Sequence, residues 1–429
     1  MKKRLGFYFI QIAAVLIIIY ISVFIYFKNI ESVNAFILER KGNFILIFFL
    51  VIILANLFDL GAFTQGFIRK EYNIVQDVLK IFGKVFFIIL IVSFIEYFVF
   101  FSTKIGRVIY VEVFFLLSSF FIVESLFINF VILSKKQKIL WLSSIPANEV
   151  EKDYLLGINN KEISNKVETK SDRYELVIYD YPPKGHVDVN NLLNTIISVR
   201  NPVDLITYVE EKSEIIPLKY VDELWLLKNI RTYEGVYDKL KRPFNIIFSL
   251  VLLMILFLPA FVFALAHKIG SKGRIFFIQR RAGYKGQAFN LIKFRTMVTG
   301  AEKDGPKFAE ENDARITKIG KFMRIFRIDE VPQLINVLKG DMNLIGPRPE
   351  RDEFIGMLEK KIPYYKLRLE VRPGLTGWAQ VNYPYAGSDI NDHLKKLEYD
   401  LYYIKNRSFS LDILIVLKTI KTMLLRKGK

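Results

Sequence analysis

The stretch Lys241-Arg-Pro-Phe-Asn-Ile-Ile-Phe-Ser-Leu-Val-Leu-Leu-Met-Ile-Leu-Phe-Leu-Pro259-Ala-Phe-Val-Phe-Ala-Leu-Ala266-His-Lys268 decides how the rest of the chain is read. Its apolar part, Phe244 to Ala266, is long enough to cross a hydrocarbon core of ~30 Å as a helix. A full crossing would carry everything after it out of the cytoplasm. Yet Lys268, Lys272, Arg274, Arg280 and Arg281 follow at once, and basic residues there oppose translocation. Pro259 removes a backbone donor and clashes with the preceding turn, so it can bend a helix sharply. A re-entrant hairpin over residues 244–266, entering and leaving on one face with its break at Pro259, meets both constraints. Composition alone leaves a kinked fifth span equally open.

Four apolar stretches lie upstream: Leu5 to Phe27, Phe44 to Phe58, Val85 to Phe101 and Val108 to Leu133. The first is too long for a cleavable signal and lacks a small-residue cleavage site behind it. Read as four spans, they leave ten Lys and Arg on one side of the membrane and five on the other. That bias puts both ends of a four-helix bundle in the cytoplasm. Glu96, Glu112 and Glu124 fall within these spans and read as inward-facing helix contacts or interfacial residues. From Lys138 to Tyr237 the chain turns soluble. Ile139–Ile145, Glu175–Asp180 and Asp204–Glu210 read as short strands separated by helical patterns, the alternation of a parallel sheet. Leu142-Ser-Ser-Ile-Pro146 stands where a dinucleotide site would need a glycine-rich turn, so this segment reads as structural or regulatory.

The whole chain of 429 residues is 52% hydrophobic, with a net charge of +18. Because the basic residues border apolar spans, anionic lipid and phosphate are better partners for that charge than nucleic acid. The absence of cysteine excludes disulfides, cysteine-ligated zinc and thiol catalysis. Three scattered histidines argue against a histidine metal site.

Downstream of the hairpin runs Arg324-Ile-Phe-Arg327-Ile-Asp329-Glu330-Val-Pro332-Gln333. Pro332 suits the first turn of a helix, so the paired acids fall at a helix N-terminus. There the dipole and the two arginines are expected to keep both ionised. Such a pair can supply a nucleophile and a hard-cation ligand on an anionic substrate, or Asp329 can simply cap the helix. Gly346-Pro-Arg348-Pro349 presents one guanidinium from a rigid turn, which suits a phosphate clamp or an ordinary surface turn. Lys293-Phe-Arg295-Thr296 is a second basic cluster. Arg372-Pro-Gly374-Leu-Thr-Gly377-Trp378 is a third, with glycines that would let backbone approach a ligand and an indole that would cover one. No Asp-x-Asp and no P-loop pattern occurs, which disfavours a metal motif of many nucleotide-sugar glycosyltransferases and ATP-driven chemistry. The final stretch, Leu411 to Lys429, suits either an interfacial helix or a core helix with a basic outer face.

From Lys241 to about Arg426 these motifs, taken in order, resemble the bacterial sugar transferases, the monotopic polyprenyl-phosphate hexose-1-phosphate transferases. Asp329-Glu330-Val-Pro-Gln333-Leu-Ile-Asn336-Val-Leu-Lys339-Gly340-Asp341, Gly346-Pro-Arg348-Pro and Arg372-Pro-Gly-Leu-Thr-Gly-Trp378-Ala-Gln380 carry the resemblance. It implies a membrane protein with α and α/β parts. These are a four-helix transmembrane bundle (1–137), a small Rossmann-like βα accessory domain (138–237) and a phosphoglycosyltransferase domain (238–429) with the re-entrant helix. The implied reaction moves a sugar-1-phosphate from a UDP-sugar to undecaprenyl phosphate, releasing UMP, as the first membrane step of exopolysaccharide, capsule or O-antigen synthesis. Asp329 takes the family's nucleophile position and Glu330 that of its Mg²⁺ ligand. Arg324, Lys293, Arg295 and Arg348 fall at positions associated with the diphosphate, and Arg372 and Gln380 are assigned to substrate binding. The resemblance implies a bacterial inner membrane enzyme with a cytoplasmic site, bound to anionic lipid and compatible with a homo-oligomer. Leu258 replaces the family's frequent Ser before the hairpin proline, and Arg327-Ile328 replaces a Ser or Thr before the acids. A non-catalytic scaffold or a transporter-like component is the alternative reading.

Overall fold

A computed structural model describes residues 2–27, 30–40, 43–45, 47–48, 50–51, 81–86, 88–93, 107–133, 138–154, 162–164, 176–180, 202–230, 235–270, 273–301, 315–384 and 389–424. The chain mixes helix and sheet and divides into two compact units, Met1–Ser213 and Glu214–Lys429.

The first unit opens with helices α1 (Lys2–Phe27) and α2 (Ile30–Glu39), followed by α3 (Arg107–Leu133). The first and fourth expected spans are therefore helical. The second and third, Phe44 to Phe58 and Val85 to Phe101, run into residues outside the described set. α1 packs on α3 and buries Val15, Ile18 and Val23, while Ile17 and Ile25 stay exposed. The rest of this unit has β1 (Lys138–Trp141), α4 (Ala147–Tyr154), β2 (Glu162–Ser164), β3 (Leu176–Tyr179), β4 (Pro202–Asp204) and α5 (Leu205–Ser213). Its four strands pair in the order β2-β1-β3-β4, all parallel. Residues Asp204–Glu210, expected as a strand, are mostly helix. Asp204 ends β4 and its carboxylate accepts from Thr207 N at 3.0 Å, a helix-capping bond. Leu205, Ile206, Tyr208 and Val209 then fall on a buried helical face. The Ser143–Ser144 turn after β1 is closed by Asp180, which accepts from Ser143 Oγ at 2.5 Å and from Ser144 N at 2.7 Å.

The second unit begins with a segment laid against its own helices. Ile216 N donates to Glu398 O at 3.1 Å, Leu218 N to Glu398 Oε1 at 3.1 Å, and Trp378 Nε1 to Glu214 O at 2.9 Å. Helix α6 (Glu223–Asn229) follows, then α7 (Val236–Gly270). Among the described residues α7 is the helix long and apolar enough to cross a membrane by length and composition, over Val236–Lys268. Pro259 lies inside α7 and does not divide it. A proline removes one backbone bond and crowds one carbonyl, which a helix can absorb by bending without ending. One face of α7 packs inward through Leu252, Leu253, Leu256, Ala260, Phe263 and Ala264 against Phe294, Met323, Val331 and Leu334. The opposite face stays bare, with Met254 at 81% and Leu258 at 67% exposure. At its start, Arg242 donates to Val337 O at 2.6 Å and Leu338 O at 2.7 Å, and Asn245 Nδ2 to Asn343 Oδ1 at 2.8 Å. Near its end, Arg295 Nε donates to His267 Nε2 at 3.4 Å.

An antiparallel hairpin, β5 (Phe276–Ala282) and β6 (Ala288–Phe294), leads to α8 (Lys318–Ile325) and α9 (Gln333–Lys339). Then come β7 (Asn343–Ile345), α10 (Asp352–Glu359), β8 (Gly374–Thr376), the short α11 (Trp378–Asn382), α12 (Ile390–Asn406) and α13 (Phe409–Leu424). β7 and β8 pair in parallel, bringing the Gly-Pro-Arg-Pro turn against the Pro-Gly-Leu-Thr-Gly turn. Here the glycines do something the sequence reading did not foresee. A Cβ on Gly374 or Gly377 would strike the backbone of Gly346, so these residues let two loops touch each other and not a ligand. Trp378 is likewise a core residue, 1% exposed, stacked on Tyr402 and covered by Lys418. α13 buries Leu411, Ile413 and Ile415, so the described part of the last stretch is a core helix with Ile420 and Met423 outside.

Candidate active site

The site is assembled where β6, the α8–α9 corner and the Gly-Pro-Arg-Pro turn meet. Thr317 caps α8, its hydroxyl accepting from Gly320 N at 2.9 Å, and the helix ends at Phe326. Arg327 then adopts a left-handed conformation with φ of 56°, strained for a residue with a side chain, and turns the chain into a 3₁₀ turn, Ile328–Glu330. Arg327 O accepts from Glu330 N at 3.2 Å, and Val331 and Leu334 then anchor the corner in the core. The turn thus fixes Asp329 and Glu330 in place just ahead of α9, each 8% exposed.

β6 is held against this corner by one amide. Asn336 on α9 donates through Nδ2 to Asn290 O at 2.8 Å and accepts through Oδ1 from Ile292 N at 3.1 Å. Its side chain thereby completes the free edge of β6 as a neighbouring strand would. Lys293, the next residue, is brought to 3.9 Å from Glu330 Oε1. Arg327 Nη1 lies 3.5 Å from the same oxygen, and Arg348 Nη2 donates to it at 2.8 Å. Arg324 donates through Nε to Thr296 Oγ1 at 2.9 Å and is close enough to Asp329 to favour its charge. Four cations therefore surround two carboxylates, an excess that suits a further anion.

The two acids are not equivalent. Burial would raise Glu330, but Arg348, Lys293 and Arg327 together pull it down to about 2. Asp329 goes the other way. Burial and the charge of Glu330 push it up to about 6 against the pull of Lys293, Arg324 and Arg327. Both acids are thus mostly ionised at neutral pH, but Asp329 holds its proton more tightly than an ordinary aspartate. Lys293 falls to about 8, mainly through burial and then through Arg348. Asp329 does not cap α9, whose N-cap position is Pro332 and which has no side-chain cap. Asp329 Oδ1 is buried and has no hydrogen-bond partner among the described residues, and neither has Gln333 Nε2. Buried polar atoms are nearly always bonded, so an orphaned carboxylate oxygen beside surplus cations marks a place for a ligand.

Of the residues singled out from sequence, Asp329, Glu330, Lys293, Arg324 and Arg348 come together. Arg295 is 8% exposed and directs its guanidinium at His267 on α7. Arg372 lies over the Tyr284 ring at 5.2 Å and lines a small pocket with Lys241, Tyr403 and Arg407. Gln380 donates to Leu375 O at 3.2 Å. Arg327, read from sequence as a neighbour of the acids, joins them, whereas Asn336, Arg368 and Asp400 were given no part there. Asp400 had a legible signal, since it lies on the core face of α12 with Leu397, Leu401 and Ile404 and must find an internal partner.

The sequence from 236 to 426 matches the family model of the bacterial sugar transferases. The chain is 46% identical over 190 residues to a UDP-N-acetylgalactosamine-undecaprenyl-phosphate N-acetylgalactosaminephosphotransferase of Aeromonas hydrophila, a match covering 44% of each chain. It is 38% identical over 187 residues to a UDP-glucose:undecaprenyl-phosphate glucose-1-phosphate transferase of Escherichia coli, covering 43% of this chain and 40% of that protein. The chain thus spans less than half the length of either relative. With an uncharacterized sugar transferase of Bacillus subtilis it shares 41% identity over 194 residues, which is 44% of this chain but 89% of the Bacillus protein. All the residues that surround Asp329 and Glu330 fall within the matched stretch, and the chain belongs to the bacterial sugar transferase family.

Proposed function

We propose that this protein transfers a sugar-1-phosphate from a UDP-sugar to undecaprenyl phosphate and releases UMP, through a covalent intermediate on Asp329. The observation that carries this reading is the orphaned Asp329 oxygen within a cluster of surplus positive charge. At neutral pH a carboxyl held at about 6 is mostly ionised and is more basic than an ordinary aspartate, as a nucleophile should be. Asp329 attacks the sugar-linked phosphorus, the P–O bond to UMP breaks, and UMP departs with that electron pair. The terminal oxygen of undecaprenyl phosphate then attacks the same phosphorus and returns Asp329 to its carboxylate. Arg324, Arg348 and Lys293 offset charge on the phosphoryl oxygens. Splitting the transfer in two spares the site from holding two anionic substrates at once.

Adjacent carboxylates, one with a free oxygen, fit Mg²⁺, which binds through one or two carboxylates plus substrate phosphates. When bound it would supply charge neutralisation at the diphosphate, held by Glu330 with Asp329 alongside. At rest Glu330 is ionised and paired with Arg348, Arg327 and Lys293, so a cation bound there would take the place of part of these pairs.

The membrane arrangement belongs to the same proposal. Arg242 and Ala260 are 18 positions apart, roughly 27 Å of straight helix. Both nevertheless pack on the catalytic unit, and His267 does so beyond them. A helix leaving that unit to cross the bilayer would lose the later contacts. We therefore read α7 as re-entrant, its bare face in lipid and both ends at the cytoplasmic side of the bacterial inner membrane. α1 and α3 are read as parts of a four-helix bundle, and the parallel sheet as a Rossmann-like accessory domain.

The test is UMP release by the purified full chain over a panel of UDP-sugars, with and without undecaprenyl phosphate. One sugar should yield UMP stoichiometric with enzyme when lipid is absent, and turnover when it is present. UMP that appears only after lipid is added would overturn the covalent intermediate, and none with any sugar would overturn the transferase.

A further inference from the structure

We infer that Arg368 is a positioning residue that sets Arg348 in its working place, an inference resting on the transferase reading above for its kinetic consequence. Arg368 belongs to the 3₁₀ turn Tyr365–Glu370, and its side chain is 4% exposed. It makes no contact with the paired acids; its bonds run to the elements behind them. Nη2 donates to Asp400 Oδ2 on α12 at 2.8 Å and to the backbone carbonyl of Arg348 at 3.1 Å. Nη1 donates to Tyr365 Oη at 2.7 Å and lies 3.4 Å from Glu350 Oε1. One planar fork thus joins a core helix to the residue whose own guanidinium meets Glu330 at 2.8 Å.

Burying a guanidinium is a poor way to gain stability, because apolar packing of similar volume usually does as well. What the fork adds is direction. Pro347 and Pro349 remove rotational freedom on both sides of Arg348, so fixing its carbonyl fixes how its side chain leaves the turn. Glu350 is tied a second time, by Arg281 at 3.9 Å, and Arg281 also donates to Pro349 O at 3.1 Å. The two carboxylates around Arg368 absorb its charge, so the clamp holds the turn without adding to the cationic excess at Asp329. Lysine could keep that charge balance but not the fork, since it is a point charge on a flexible stem.

The full chain in detergent tests this with Arg368→Lys, Arg368→Gln, Arg348→Ala and the Arg348→Ala/Arg368→Lys double variant. Deuterium exchange followed by mass spectrometry reads the turn directly, whatever the activity. The amides of Gly346, Arg348, Glu350 and Arg351 should exchange at least about 10-fold faster in both Arg368 variants, with the parallel sheet of the first unit unchanged. Arg368→Lys should melt close to the parent protein yet lose about 10–100-fold in kcat/KM for UMP release. In the Arg348→Ala background the same change should cost no more than about 2-fold, because the side chain it positions is gone. Unchanged exchange in the turn, or an equal loss in both backgrounds, would overturn the inference. A loosened turn in a protein that releases no UMP from any UDP-sugar would refute the transferase and leave the clamp standing.

Discussion

Replacing Asp329 by asparagine should abolish transfer and at the same time stabilise the protein. The ordinary aspartate value is 3.8, and burial beside Glu330 holds Asp329 at about 6 in the folded chain. Folding therefore favours the protonated carboxyl, and that contribution is complete below pH 3.8 and lost as pH rises through about 6. With each pH unit between the two values worth 1.36 kcal/mol, the ionised group costs the folded state about 3 kcal/mol at pH 7.5. Asparagine removes the charge but leaves a buried amide to satisfy among cations, which returns about 1–2 kcal/mol. The net gain is then about 1–2 kcal/mol. For a unit of this size that is an apparent melting temperature higher by about 2–8 °C. At pH 5 the carboxylate cost falls to about half, so the advantage of Asp329→Asn should shrink towards zero. Thermal unfolding of both proteins in the same detergent at pH 7.5 and pH 5 measures this. An unchanged or lower melting temperature at pH 7.5 would refute the electrostatic argument, as would a gain equal at both pH values.

Three further outcomes follow from the same site. The pH profile of kcat/KM should be bell-shaped, falling below about 6 as Asp329 is protonated and above about 8 as Lys293 loses its charge, and a profile flat from pH 5 to 9 would remove both from the rate. EDTA should stop turnover and Mg²⁺ restore it, while Glu330→Gln should lose at least about 10²-fold even in excess Mg²⁺, because a neutral amide replaces a hard-cation ligand; full activity in EDTA would dismiss the ion. Cysteines placed at the exposed Lys239 and Lys268, flanking the apolar part of α7, should react alike with a membrane-impermeant reagent in right-side-out and inverted vesicles, and opposite labelling would mean that α7 crosses.

Asp329-Glu330 between arginines and Arg348 between prolines were legible as a candidate site from residue type and spacing, and the folded chain brings them together. Which of the 61 Lys and Arg would reach the acids could not be read. Lys293 and Arg295 are two positions apart, yet one meets Glu330 and the other turns to His267, a choice set by the edge of β6 and by α7. The opposite directions taken by the two acid pKa values were hidden for the same reason, since burial and distance decide them. Local cues misled where tertiary packing overrode them. Gly374 and Gly377 read as ligand-facing, but loop crosses loop there, and the apolar run after Asp204 reads as strand until that aspartate caps a helix. Asp400 on an apolar helical face was an available clue to a buried partner, and Arg368 is that partner.

On the proposed mechanism, the arrangement also explains why a strained, costly corner is kept. Arg327 in its left-handed conformation and the 3₁₀ turn after it place two carboxylates side by side, and burial keeps their repulsion strong. Glu330 is relieved by three cations, whereas Asp329 retains a free oxygen and the higher affinity for a proton. Satisfying Asp329 with a further hydrogen bond would stabilise the fold and lower its basicity together, weakening it as a nucleophile. The surplus of cations points the same way, because it is unfavourable until a phosphate arrives and favourable afterwards. Under that proposal destabilisation and reactivity have one source, the buried Asp329 carboxylate with its unbonded Oδ1.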